Sequence, residues 1–262
     1  MPERLSTLTS FISSFLRVEA FRDYAHNGLQ VCWNEDALIK RILCTVDIGE
    51  DTIEDAASLR AELIISHHGL LWGHSLIPIC GSFAKKIHKL AQNNISVYAC
   101  HLPLDGHSQV GNAFQLAFAL QLENCESWYN LDASQPTIGV RGIFNPPISY
   151  YEVSQRLSNI TGTCSPSFLP VTERLFENKF SSVGIVTGSG TSCLEAAAKG
   201  GIELLITGEL KQEAFHCAKD FNVAVLAGGH YATETWGVRA LGWLLRKKFD
   251  LSLVFCDRPT GI

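Results

Sequence analysis

The chain's apolar residues fall into short continuous runs separated by longer, periodically polar stretches. Residues 42–48 (ILCTVDI), 63–68 (LIISHH), 181–188 (SSVGIVTG) and 202–209 (IELLITGE) are runs of that kind. Their length and richness in Val, Ile and Leu predict strands buried on both faces. Between the first two lies DTIEDAASLRAE (51–62), a helix opened by acidic and Thr residues. Between the second two lies TSCLEAAAKGG (191–201), a helix with a glycine stop. Near the start, Leu5, Leu8, Phe11, Ile12, Phe15 and Leu16 recur at helical spacing. They predict an amphipathic helix; an export signal would need a basic leading segment and a cleavage site.

The pattern repeats. EDAASLRAELII (54–65) and EAAAKGGIELLI (195–206) align without gaps, sharing Glu, Ala, Ala, Glu, Leu and Ile. Each copy is followed by a helix, GSFAKKIHKLAQNN (81–94) or KQEAFHCAKDFN (211–222). A strand comes next, ISVYACH or VAVLAGGH, and then a polar loop leading to a further helix, GNAFQLAFALQL or WGVRALGWLL. Two βαβαβα halves predict an α/β fold of two related lobes with largely parallel sheets. Residues 126–180 break the pattern and read as strand, Pro-Pro turn and helix, a linker into the second lobe.

Composition adds little to this and excludes some functions. The chain has 262 residues, a formal charge of −5 and 46% hydrophobic residues, which suits a soluble α/β protein with a large core. The acidic balance and the lack of clustered Lys and Arg argue against nucleic acid as a partner. No apolar run is long enough to span a membrane. Nine scattered cysteines without a CxxC read as reduced thiols in a cytoplasmic protein.

In such sheets ligands gather at the carboxyl ends of the strands. Those ends carry His67 and His68, then His101 and Asp105, then Glu209, then His230 and Glu234. Imidazole with carboxylate and no thiolate suits a divalent Zn, Fe, Mn, Ni or Co ion. His230 and Glu234, four apart, share one face of a helical turn. His67 and His68 would point oppositely on a regular strand; just past a strand end they could serve two neighbouring ions. Asp105 or Glu234 could bridge such a pair. His101 and His107 stay open between ligation, outer hydrogen bonding and substrate contact. His88 and His216 read as helix-face residues, and His26 and His74 as loop residues. TGSGTS (187–192) reads as a tight β–α turn, or else as a phosphate cradle; it lacks the lysine of a P-loop.

DYAHNGLQV (23–31), SHHGLLW (66–72), HLPLDGHSQVGNAFQLA (101–117), ITGELKQEAFHCAK (206–219) and GGHYATETWGVRAL (228–241) occur in this order. Through them nearly the whole chain resembles the Nif-three-like family, whose members are commonly labelled GTP cyclohydrolase 1 type 2 homologues. The short bacterial form is the one it resembles. The resemblance implies a first lobe of residues 1–125 completed by 225–262, a second lobe of 126–224, and a metal site at the strand ends between them. It implies two divalent ions per subunit, held by His67, His68, Asp105, His230 and Glu234, and assembly as a homohexameric toroid. His26 departs from the family's usual residue in an entrance loop.

The expected activity is metal-dependent hydrolysis of a nucleotide-like or small heterocyclic substrate, with His101 or Glu209 as proton carrier outside the ligand set. The alternatives are a non-enzymatic metal-dependent binding or scaffold protein, and a metallochaperone.

Overall fold

The computed structural model describes residues 2–73, 77–163, 167–169 and 179–261. In chain order the elements begin β1 (Glu3–Arg4), α1 (Leu5–Leu16), β2 (Gly28–Val31), β3 (Leu38–Ile39), β4 (Arg41–Thr45), α2 (Glu50–Ser58), β5 (Leu63–Ser66), α3 (Gly81–Gln92) and β6 (Ser96–Ala99). They continue with α4 (Leu102–Asp105), α5 (Asn112–Ala119), β7 (Glu123–Trp128), β8 (Gly139–Ser149), α6 (Tyr150–Thr161), β9 (Ser167–Leu169) and β10 (Lys179–Val186). The last are α7 (Leu194–Lys199), β11 (Leu204–Thr207), α8 (Gln212–Phe221), β12 (Ala224–Ala227), α9 (His230–Phe249) and β13 (Ser252–Phe255). The chain divides into one unit of residues 1–104 and 237–258 and a second of residues 105–236 and 259–262.

The first unit is built on a five-stranded sheet of order β13-β4-β5-β6-β2. Its β13, β4, β5 and β6 are parallel and β2 is antiparallel. Every residue of β5 and β6 is buried, as expected where helices cover both faces of a parallel sheet. Ile53 and Ala56 of α2 and Leu90 of α3 pack on Leu43, Ile64 and Val97. Helix α1 buries Leu5, Leu8, Ile12 and Leu16, four of the six positions that its spacing singled out.

The second unit has a six-stranded sheet of order β7-β8-β10-β11-β12-β9. Only β10, β11 and β12 run parallel; β7, β8 and β9 join antiparallel. Both sheets are therefore mixed: the first is largely parallel, as expected, with three of its four pairings parallel, while the second has only two of five and departs from that expectation. The strands joined by helical crossovers are parallel, as the repeat implies, because a parallel pair needs a long connection. The added strands come from outside the repeat and are free to pair antiparallel. Much of the stretch read as a linker supplies them. Its Pro146 and Pro147 lie inside β8, where pairing with β10 jumps from Ile148 opposite Phe180 to Ile143 opposite Ser182. A bulge there accommodates residues that cannot donate to the ladder. Helix α6 starts where Ser149 Oγ accepts from the Glu152 amide and stops at Gly162. Helix α5 follows the first copy of the repeat in sequence, yet Phe114, Leu116 and Leu120 pack with Val140, Phe144 and Ile206 in the second unit's core.

Both units share one backbone device. Just past β5 the amides of His67 and His68 donate to Thr45 O and Val46 O, at 3.2 and 2.8 Å. Just past β11 the amides of Gly208 and Glu209 both donate to Gly188 O, at 2.8 and 3.0 Å. In a regular strand successive amides face opposite neighbours. Two in a row facing the same neighbour mean that the chain has bent at the strand's exit. Among the described residues no helix is long and apolar enough to cross a membrane, and the eight cysteines described are thiols rather than disulfides.

Candidate metal centre

The bend after β5 decides how the histidine doublet is presented. The His67 and His68 rings lie side by side, 4.7 Å between centroids, and do not point to opposite faces. His101, just past β6, joins them, its ring 5.2 Å from His67 and 5.6 Å from His68. The Trp72 indole stands against His68 and His101 at 5.7 and 5.3 Å.

Each of these imidazoles is oriented through Nδ1. His67, fully buried, turns Nδ1 to Cys100 O at 3.0 Å. His68 turns Nδ1 to Asp47 Oδ1 at 2.8 Å. His101 turns Nδ1 to both carboxylate oxygens of Asp23, at 2.9 and 3.1 Å. A carbonyl or carboxylate oxygen only accepts, so each neutral ring donates from Nδ1 and carries its lone pair on Nε2. This is how metal-binding histidines are commonly fixed.

The motif at residues 23–31 builds much of that support. Asp23 also accepts from the Ala25 and Leu102 amides and from Asn27 Nδ2. Burial works to raise its pKa, but the hydrogen bond from His101, with the other donors, brings it down to about 2. Asn27 Oδ1 accepts from the His101 amide at 2.6 Å. Gln30 Oε1 accepts from the Leu70 and Leu71 amides and so holds the loop after the doublet. In the same stretch, His26 Nε2 contacts Gly73 O.

In the second unit His230 opens α9 and Glu234 follows one turn later, Nε2 to Oε2 at 3.3 Å. Two donors on one ion stand roughly 3.0–3.4 Å apart when each bond is about 2.1 Å. His230 Nδ1 meets Glu209 Oε2 at 2.9 Å, which orients the ring. Asp105, at the end of α4, accepts from Asn112 Nδ2 at 2.8 Å and from Thr187 Oγ1 at 3.1 Å. The next residue, Gly188, approaches Glu234 so closely that a Cβ there would lie 2.1 Å from Oε1. Its amide donates to Thr233 Oγ1, and its carbonyl accepts from Thr207 Oγ1 as well as from the two amides past β11. The TGSGTS segment is thus a tight β–α turn whose polar groups meet Asp105, Thr207, Thr233 and Tyr129.

The remaining histidines separate from these groups. His107 Nδ1 accepts from the Gln109 and Val110 amides and so serves its own turn. His88 and His216 are exposed on helices, and His74 lies outside the described residues. Sequence reading missed Asp23, Asp47, Asn27, Gln30 and Thr187, although the motif at 23–31 contains three of them.

Hydrogen bonding to Glu234 raises the His230 pKa from 6.5 to about 9; burial opposes the rise, and the Glu234 and Glu209 charges add to it. Its bond to His230 lowers the Glu209 carboxyl, against partial burial. In the ion-free protein the stabilisation from protonated His230 is complete below pH 6.5 and is lost as pH rises through about 9. A metal ion needs the neutral ring. Metal binding at neutral pH should therefore release protons, and affinity should rise with pH up to about 9. Calorimetry in buffers of different ionisation enthalpy reads the release directly.

Asp47 gives a second test. Its carboxylate is half-exposed, and its backbone carbonyl, which accepts from Thr45 and Thr52, survives truncation. Asp47→Ala should weaken metal binding by about 10–100-fold with little change in thermal stability, as measured by competition with a coloured chelator.

An α/β protein with two mixed sheets, carrying clusters of His, Asp and Glu consistent with a metal site, is the class that fold and side chains define. Residues 3–260 match the Duf34/NIF3 (NGG1p interacting factor 3) family, and the chain belongs to it. A "GTP cyclohydrolase 1 type 2 homolog" of Pyrococcus horikoshii is 36% identical over 255 residues, covering 97% of this chain and 98% of its own length. A protein of the same description from Halobacterium salinarum is 36% identical over 260 residues, covering 98% and 99%. The crystal structure of a Thermus thermophilus protein superposes with a TM-score of 0.87 at 34% identity, over 99% of this chain and all of that one.

Proposed function

We propose that the chain is a dinuclear metal-dependent hydrolase of the cyclohydrolase type, acting on a nucleotide-like or other small heterocyclic substrate. Its ligands on this reading are His67, His68, Asp105, His230 and Glu234. The observation that carries the reading is the common orientation of the histidines. Nδ1 of His67, His68 and His230 is turned to an oxygen acceptor, which directs Nε2 of each toward a ligand. The donor set fits borderline divalent ions such as Zn, Fe, Mn, Ni or Co. Two divalent ions held by these residues would supply Lewis acidity and lower the pKa of bound water.

The protein's own groups do the rest. Asp47, Glu209 and the Cys100 carbonyl fix the ligand rings. His101, set by Asp23, presents Nε2 as the proton-carrying group, and the Trp72 indole packs edge-on against its ring. The substrate class is supported by the description that the similar proteins carry, GTP cyclohydrolase 1 type 2 homolog. Self-assembly as a homohexamer belongs to the same proposal and is supported by the family resemblance; light scattering should give six times the mass of the chain.

The test of the activity is protein reconstituted with two equivalents of metal and incubated with GTP. Release of formate or of a ring-opened product is expected. Metal-replete protein inert toward GTP and related purines would remove the cyclohydrolase reading.

A further inference from the structure

In the first unit an aromatic pair lies beside the histidines and outside the ligand set. The Tyr24 and Trp72 ring centroids are 6.4 Å apart at 38°, and the Trp72 indole reaches on to His68 and His101. Tyr24 itself is 67% exposed. A lone exposed aromatic is ordinary; this one is set on backbone that is fixed from several sides. Ala25 and Trp72 form an antiparallel bridge. The Gly73 amide donates to Tyr24 O at 2.7 Å, and the His26 amide to Leu71 O at 3.1 Å. His26 Nε2 donates to Gly73 O at 2.5 Å, since a carbonyl only accepts. Trp72 Nε1 donates to Gly69 O at 2.9 Å. Gly73, at φ +77°, makes room for the phenol: a Cβ there would stand 3.1 Å from Tyr24 Oη and 3.3 Å from Cζ. None of these bonds uses the Tyr24 ring, so the fold sets the ring in place without burying it.

We propose that Tyr24 and Trp72 form a stacking platform for the flat ring of the substrate, one that selects an aromatic heterocycle such as a purine over sugars and open-chain amides. The inference rests on the reading of a heterocyclic substrate and gives that reading a place where the ring is held. Aromatic side chains take any base, because every base has a π-face. Tyrosine does so at low entropic cost, having two χ angles. The platform is separate from the metal chemistry. Neither residue belongs to the ligand set, and Tyr24 stands one ring further from the imidazoles than Trp72 does. Ring binding should therefore occur with and without metal.

Ligand-observed NMR titration with inosine, a purine nucleoside without phosphate, tests this on metal-loaded and metal-free protein. Inosine should bind the wild type in both states, and ribose should not. Tyr24→Ala should weaken inosine binding by about 5–100-fold, and Tyr24→Phe should restore it, with metal content equal in all three proteins. The fold tolerates both changes, since Tyr24 gives its carbonyl and not its ring to the bond with Gly73. Equal inosine affinity in wild type and Tyr24→Ala overturns the inference, as does a wild type that binds inosine no better than ribose. Weakened binding accompanied by a change of mass in light scattering places Tyr24 in a subunit contact and overturns it too. Turnover is read separately. GTP hydrolysis with unchanged KM in Tyr24→Ala removes the platform and leaves the cyclohydrolase reading standing. Inosine binding that depends on Tyr24, beside inert GTP, keeps the platform and removes the cyclohydrolase reading.

Discussion

His68→Ala and Glu234→Gln are each expected to lower metal affinity by more than about 100-fold, since losing a ligand should exceed the 10–100-fold cost of losing an outer partner. The fold should survive both changes. His68 lies beyond the end of its strand, and its amide bond to Val46 is made by backbone that alanine retains. Glutamine keeps the shape of Glu234, which is 3% exposed and packed in the first turns of α9. His88→Ala is the control, an exposed helix-face histidine whose loss should leave metal content unchanged. Elemental analysis of the purified variants decides the matter, with far-UV circular dichroism as the check on folding. Full occupancy in both ligand variants would reject the assignment.

Gly188→Ala is expected to combine two effects that can be measured apart. Gly188 sits at φ +60°, where a Cβ costs about 1–2 kcal/mol. The new methyl would also stand 2.1 Å from Glu234 Oε1 and 3.1 Å from His230 Nε2, so the carboxylate must move. For a chain of this size the strain alone lowers Tm by about 2–8 °C. The displaced carboxylate should weaken metal binding by a further 10–100-fold, roughly the cost of disturbing a ligand's setting. Gly201→Ala separates the two, because Gly201 has φ +67° with nothing within 4 Å of the place its methyl would take. It should lose comparable stability and keep its metal. Equal metal affinity in both variants would show that the Glu234 carboxylate does not need this position.

The parts legible in the sequence are those whose physics is local. β5, β6, β11 and β12 are buried throughout, so their composition announces them. His230 and Glu234 are legible for a similar reason, since four residues on a helix bring two side chains to one face. β7 was illegible: ENCESW at a sheet edge has no buried residue and no apolar run. β8 was partly hidden by Pro146 and Pro147, which read as a turn but are tolerated within the strand at a bulge. The outer partners were harder still. Asp23 lies 78 residues from His101, and Asp47 lies 21 from His68. Such pairs are set by sheet order, which no local pattern encodes. The side-by-side doublet needed the bend past β5, and that bend is a matter of hydrogen bonds made by the neighbouring strand.

The bend recurs past β11, where the residues are Gly208 and Glu209. A Cβ on Gly208 would lie 2.7 Å from Gly188 O, 2.8 Å from Gly188 Cα and 2.8 Å from His230 Cα. Three backbone atoms, none of them a movable side-chain tip, thus exclude any larger residue at this point. The second unit cannot acquire an imidazole doublet by side-chain exchange at Gly208 and Glu209 alone, because the obstacle at Gly208 is main chain and would have to be rebuilt first. The chemical inequality of the halves is therefore held in place at Gly208 by main-chain sterics.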